Sequence, residues 1–242
     1  MIFSTLSKAS LALIAASILL ILTTPTEAHS WADCVDWRFK NPKNKSWNDS
    51  NGACFGYARR FPVKAKPFAD YDEDWPNRHY EQSHKSPSPD YAPACSDGKS
   101  GETDGADERM AKPWTAAYNG RDFRKRRTGA FTTKKIGDTM CIRWPAKNHA
   151  VPKERDLSEV FVSFSKPNPK KDPTQKQFLS NIVARLNYKN CTTGGSTDRW
   201  PCGGCFPISK KKFTPGHYVG QWRWRLNDNE WYTSCFDVLV KK

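Results

Sequence analysis

The chain holds five histidines, His29, His79, His84, His149 and His217, and two of them stand where a metal could be chelated. His29 follows a segment that reads as a removable leader. That segment has a cation at Lys8, the apolar run Leu11–Leu22, and small residues at Thr26 and Ala28, the layout of a signal-peptidase site. The apolar run is too short to span a bilayer as a helix. Removal of residues 1–28 from 242 leaves 214 residues that begin with His29. An N-terminal histidine offers two nitrogens, the free α-amine and an imidazole nitrogen. The amine's ordinary pKa of about 7.7–8.0 lets a metal displace its proton near neutral pH. A second imidazole, with His149 as the candidate, completes a T-shaped set of three nitrogens. Such a tetragonal nitrogen set suits Cu(II), which also heads the divalent affinity order. The competing readings are cleavage elsewhere, or an ordinary surface histidine. His79 and His84 are rival ligands, but a spacing of five in a Pro-rich loop fits neither helix nor strand. His217 reads as an inward or stacking histidine.

The elements that must position these residues are strands. Thr139–Trp144, Glu159–Ser165, His217–Leu226 and Trp231–Val240 are short, rich in β-branched and aromatic residues, and bounded by turn formers. The last two alternate apolar and polar residues with the period of half-buried strands. Phe178–Leu186 fits a strand or a short helix, and no strong amphipathic helix occurs. From Ser30 to Pro113 there is little periodicity, and runs such as Ser96–Asp107 read as loops. Their length points to function or disulfide tethering. The expected architecture is an all-β sandwich of the immunoglobulin or fibronectin-III type with long, disulfide-tethered loops. Residues 29–242 are expected to form a single domain, a size within range for one β-domain.

Composition narrows the setting. All eight cysteines lie beyond Ala28, and an even number in an exported chain predicts up to four disulfides. Cys202-Gly-Gly-Cys205 has redox or zinc-knuckle spacing, but with no second such pair the structural disulfide reading is preferred. Three sequons, at Asn44, Asn48 and Asn190, agree with export and glycosylation. Net charge is +14, a field that attracts a polyanion. For a secreted protein an acidic polysaccharide is the expected partner, not nucleic acid or a membrane, and the protein is expected to be monomeric.

Four marks in order along the chain carry a resemblance. They are His29 after the leader, Gly137-Asp138…Trp144…Asn148-His149, Pro215-Gly216-His217-Tyr218, and Tyr232 three residues before Cys235. The sequence resembles the lytic polysaccharide monooxygenases. Its start, His29-Ser-Trp-Ala-Asp-Cys34-Val-Asp-Trp37, with Cys54-Phe-Gly-Tyr-Ala-Arg-Arg-Phe-Pro62, looks most like the oomycete pectin-cleaving family, auxiliary activity family 17. The resemblance implies one copper ion held by His29 and His149, with Tyr232 at its axial face. It also implies a carboxylate at Glu230, where relatives carry a Gln or Glu beside the metal. Where many relatives have a histidine in the preceding strand this chain has Trp222, so His217, Arg223 or Arg225 are candidate replacement proton donors. Tyr232 also reads as a core aromatic, and Glu230 as a solvated edge residue.

The activity so implied is copper-dependent oxidative cleavage of glycosidic bonds, with an external electron donor. Basic clusters at Lys134-Lys135, at Lys210–Lys212, and at Arg121, Arg124, Lys125, Arg126 and Arg127 favour homogalacturonan or pectin. Arginine can grip the carboxylates of that polymer in pairs. Singly, each run also reads as solvated surface. Two other classes stay open, a copper-binding protein without activity and a non-catalytic polysaccharide-binding protein. Cellulose or chitin stays open as substrate, given ten tryptophans. No nucleophile-elbow motif supports a serine hydrolase.

Overall fold

The computed structural model describes residues 30–56, 58, 80–83, 94, 132–146, 159–170, 173–194, 200–227 and 230–242. The alternation expected near the C-terminus forms a long hairpin of β9 (Gly216–Asn227) and β10 (Glu230–Lys241). Tyr218, Trp222 and Trp224 of β9, and Tyr232, Phe236, Val238 and Val240 of β10, share one face and enter the main core. The opposite face carries Val219, Gln221, Arg223, Thr233, Cys235 and Asp237, all buried as well.

Around the hairpin a six-stranded sheet assembles. β6 (Glu159–Phe164) pairs with β9, and β7 (Ile182–Asn187) pairs with β6. β3 (Tyr80–Ser83) lies antiparallel to the start of β10, while β4 (Thr132–Lys135) runs parallel to its end. A second layer, β5 (Thr139–Pro145) with β8 (Pro201–Pro207), faces this sheet. Met140, Ile142, Trp144, Cys202 and Phe206 from that layer meet Val160, Val162, Phe164, Trp222 and Phe236 from the sheet in one apolar cluster. Burial of this aromatic surface is the main source of stability. The fold is the expected all-β sandwich.

The four strands expected from pattern occur within a residue or two of their expected ends. The ambiguous stretch resolves into both alternatives in turn, helix α1 (Gln175–Leu179) and then β7. Thr174 and Gln177 form a capping box: Thr174 Oγ1 accepts from Gln177 N at 3.2 Å, and Gln177 Oε1 accepts from Thr174 N at 2.9 Å. α1 then lays Phe178 over Val219 and Cys235 on the outer face of the large sheet.

β8 was not expected. Its sequence Pro-Cys-Gly-Gly-Cys-Phe-Pro lacks strand formers, yet it pairs along its whole length with β5. A side chain at Gly203 would overlap the ring of Trp47, and one at Gly204 would come within 2.8 Å of Leu186. The glycines therefore admit close neighbours. Cys202 bonds to Cys191 and Cys205 to Cys141, so the two cysteines of this motif lead to different partners. That excludes a Cys202–Cys205 redox pair. Cys34–Cys54 ties β1 (Trp37–Phe39) to β2 (Gly52–Cys54). Cys235 is also disulfide-bonded, and among the described residues no cysteine is free, which agrees with an oxidising compartment. Among the described residues no helix is long and apolar enough to cross a membrane.

Candidate functional site

Both ends of the β-sandwich can be followed from strand direction. Pro145 of β5 pairs with Pro201 of β8 at one end, and Thr139 pairs with Pro207 at the other. The segment from Ser30 enters at the Pro145 end. Ser30 is fully buried and its Oγ donates to the Pro145 carbonyl at 2.9 Å. Ala32 N donates to Ser234 Oγ of β10 at 3.1 Å. The neighbour of His29 is thus bonded to a residue four positions before His149, and the next residues reach the strand that carries Tyr232.

The same segment is held by a buried ion pair. Arg143 of β5, with no exposed surface, donates through Nη2 to Asp33 Oδ2 at 2.7 Å. Its Nη1 donates to Asp49 Oδ1 at 2.5 Å and to the Trp47 carbonyl at 3.2 Å. Its guanidinium lies 4.1 Å above the Trp37 ring. The five donors of an arginine fork suit such a site, because a buried charge is tolerated only when paired and hydrogen-bonded.

Tyr232 is 2% exposed and pairs across strands with Trp224, the two rings stacked at 5.6 Å. Trp224 stacks in turn on Tyr188 at 3.9 Å. The Tyr188 hydroxyl donates to the Ala146 carbonyl at 2.9 Å, three residues before His149. Trp144 also stacks with Tyr188, at 6.1 Å, and donates through Nε1 to its carbonyl at 3.0 Å. A run of rings therefore links Tyr232 to the chain that leads to His149. Apolar ring faces on Tyr232 exclude water from that side.

Glu230 opens β10 opposite Asn227, where the register shifts. Of the other expected site residues, His29, His149, Arg121, Arg124, Lys125, Arg126 and Arg127 lie outside the described residues, as do His79 and His84. Among the described residues no three His, Cys, Asp or Glu side chains gather to hold a metal.

The replacement proton donors considered for Trp222 are not beside Tyr232. Trp222 itself is buried in the core, tilted against Trp144 at 5.9 Å. Arg223 and Arg225 alternate to the opposite face of the sheet from Trp224 and Tyr232. His217 lies at the far end of β9, where its Nε2 is 3.1 Å from the buried Asp237. The Pro215-Gly216-His217-Tyr218 motif is structural there. Gly216 has φ +156° against Asn168, His217 N donates to Asn168 Oδ1 at 2.9 Å, and the Tyr218 hydroxyl donates to the Thr214 carbonyl at 2.9 Å. Gly137, with φ +101°, likewise serves the turn between β4 and β5.

Sequence reasoning missed Ser30, Tyr188 and Arg143. Trp224 was visible in the alternation of β9. Tyr188 sits in a turn, and the partners of Arg143 are about a hundred positions away, so neither carries a local signal.

No protein-family model matches the chain, and no curated protein matches it. Among solved structures it is similar to an AA10 lytic polysaccharide monooxygenase from Streptomyces lividans, at 13% identity over 45% of this chain and 58% of that one, with TM-score 0.32. It is also similar to the cellulose-active enzyme CelS2 in complex with copper, at 15% identity over 50% of this chain and 59% of that one, with TM-score 0.36. A monooxygenase of the same kind from Kitasatospora papulosa is 12% identical over 67% of this chain and 72% of that one, with TM-score 0.36. This chain therefore spans a little under three fifths of the length of the first two of these structures.

Proposed function

We propose that this protein is a secreted copper-dependent enzyme that oxidatively cleaves glycosidic bonds in an acidic polysaccharide, with homogalacturonan or pectin as the preferred substrate. The observation that carries the reading is the hydrogen bond from Ser30 Oγ to the Pro145 carbonyl. It ties the chain next to His29 to the strand that leads to His149. Ala32 is bonded to Ser234, two residues from Tyr232.

The donors fit copper. His29 would hold the ion through its α-amine and imidazole, His149 through its imidazole, and Tyr232 would present its phenol from the buried side. Copper, when bound, supplies the one-electron chemistry that activates dioxygen or peroxide after reduction by an external donor. The chain's own part is positional. The Asp33–Arg143 pair and the Ser30 bond fix the segment that follows His29. The Tyr232, Trp224 and Tyr188 stack keeps water from the buried side. Glu230, the first residue of β10, is two positions from Tyr232 in sequence and is the candidate carboxylate to hold a proton in the reaction.

The substrate reading rests on charge and on the sequence resemblance. A net charge of +14 favours a polymer with a carboxylate on each sugar over neutral cellulose or chitin.

The test uses protein with an authentic His29 terminus, loaded with copper and incubated with polygalacturonate, a reductant and peroxide. Mass spectrometry of the soluble products is compared with that of His149→Ala. Oxidised oligogalacturonides from the parent alone support the reading. Tight copper binding with no oxidised product on pectate, cellulose or chitin replaces it with a non-catalytic copper protein.

A further inference from the structure

The lysine runs at Lys134-Lys135 and Lys210–Lys212, which in the sequence favour an acidic polymer, lie away from Tyr232, and their arrangement suggests a separate role. Lys134 is buried and forms an ion pair with Asp36 Oδ1 at 2.5 Å, so it offers nothing to a ligand. Lys135 is exposed and pairs in register with Lys241 at the ends of β4 and β10. Ile136 N donates to the Lys241 carbonyl at 3.0 Å. Gly137 N donates to the Ile208 carbonyl at 2.8 Å, which brings the Lys210–Lys212 turn beside them. That turn is seated by Phe213, which is buried in the core, and by Lys212 Nζ, which donates to the carbonyls of Ile182 and Val183 at 3.3 and 3.1 Å. Lys166 belongs to the loop that Asn168 clamps to His217.

All these lysines lie at the end of the sandwich opposite Ser30, Pro145 and Tyr232. Along β9 the span from Trp224 to Gly216 is about 26 Å at ~3.3 Å per residue. In the described segments around these lysines, the exposed carboxylate is Asp138, whose Oδ2 accepts from Lys135 N at 2.8 Å. Among the described residues none of these exposed ammonium groups forms an ion pair. Like charges fixed on a rigid turn repel one another, and an extended polyanion relieves that repulsion.

We propose that this lysine-bearing end is a second polyanion-binding surface, for an extended polyuronate chain, separate from the candidate metal site. It would hold the protein on an acidic polysaccharide while the other end stays free, and it does not depend on copper. Lysine supplies mobile point charges that suit carboxylates spaced along a flexible polymer. Binding to single-stranded nucleic acid calls for exposed aromatic platforms, and docking on a membrane calls for exposed apolar residues. The exposed large apolar side chains among the described residues are Phe55 and Leu179, and neither belongs to the lysine-bearing turns.

The test measures binding of fluorescent, defined-length polygalacturonate at low salt. The parent is compared with a combined Lys135→Gln, Lys210→Gln, Lys211→Gln, Lys241→Gln variant and with an equal-charge control, Lys40→Gln, Lys43→Gln, Lys45→Gln, Lys189→Gln. The proposal expects a loss of about tenfold or more in the first and about threefold at most in the control, with a salt-dependent affinity in the parent. A Lys→Arg version of the first variant should retain binding, which shows that any loss is not unfolding. Equal losses in both glutamine variants overturn the proposal, because binding then follows net charge alone. So does tighter binding of the parent to duplex DNA of matched charge, or to phosphatidylserine vesicles, than to polygalacturonate.

Discussion

Arg143 and Asp33, 110 residues apart in sequence, meet in a two-nitrogen fork in which Nε and Nη2 donate to Oδ2 at 3.1 and 2.7 Å. This pair joins the first described segment to the inner strand of the smaller sheet. Because Arg143 also serves Asp49, the Trp47 carbonyl and the Trp37 ring, its replacement strands several groups at once. Arg143→Ala is expected to lower stability by about 3–5 kcal/mol, since it leaves a buried carboxylate uncompensated. Urea unfolding monitored by tryptophan fluorescence measures the loss. A loss below about 1 kcal/mol would mean the pair is solvated and does not anchor the segment.

Tyr232→Phe separates the two roles of this residue. The ring keeps its stack on Trp224, so stability should change by no more than about 1 kcal/mol, the scale of a single polar contact. Tyr232→Ala should cost about 3–5 kcal/mol through the cavity it leaves. If the hydroxyl faces copper, the phenylalanine variant alters the Cu(II) electron paramagnetic resonance spectrum while its melting temperature moves by only about 2–4 °C. An unchanged spectrum in copper-loaded protein assigns Tyr232 to packing alone.

Gly203→Ala tests why β8 needs its glycines. The new methyl group would press into the Trp47 ring, and overpacking of this kind costs about 1–3 kcal/mol. Thermal unfolding should show the shift, together with a changed Trp47 environment in near-ultraviolet circular dichroism. Gly137→Ala, where nothing lies within 4 Å of the added carbon, is strained only by its positive φ and should cost about 1 kcal/mol.

Peptide mapping without reduction should recover the Cys141–Cys205, Cys191–Cys202 and Cys34–Cys54 linkages. A Cys202–Cys205 linkage would contradict the pairing of β5 with β8. Loss of the Cys191–Cys202 bridge through paired alanine substitutions should cost about 2–4 kcal/mol.

The long strands were legible because Tyr-Val-Gly-Gln-Trp-Arg-Trp and Tyr-Thr-Ser-Cys-Phe-Asp-Val carry their alternation openly. The same alternation shows that Tyr232 and Trp224 share a face. That they stack on each other depends on register, which is set by the whole hairpin. β8 was illegible because its strand geometry comes from the ladder with β5, two disulfides, and the Trp47 and Leu186 side chains against its glycines, not from its own residues. Lys134 read as surface charge, yet it turns inward to Asp36, whose other oxygen accepts from Thr132 and Arg38. A local charge run carries no information about which of its members meets a buried carboxylate. His217 was weighed as a proton donor, but strand direction sends it to the end of the sandwich opposite Tyr232.

The seat of Ser30 has a consequence for the order of assembly. Its partner Pro145 is 115 residues downstream, and Ser234, the partner of Ala32, is 202 residues downstream of it. On a chain made from its N-terminus, the segment that begins at Ser30 emerges before these partners and pairs with them late. Closure must wait for β10, the last of the described strands in chain order. Pairings of such sequence separation slow folding, so docking of the Ser30–Ala32 segment is expected among the late steps of folding.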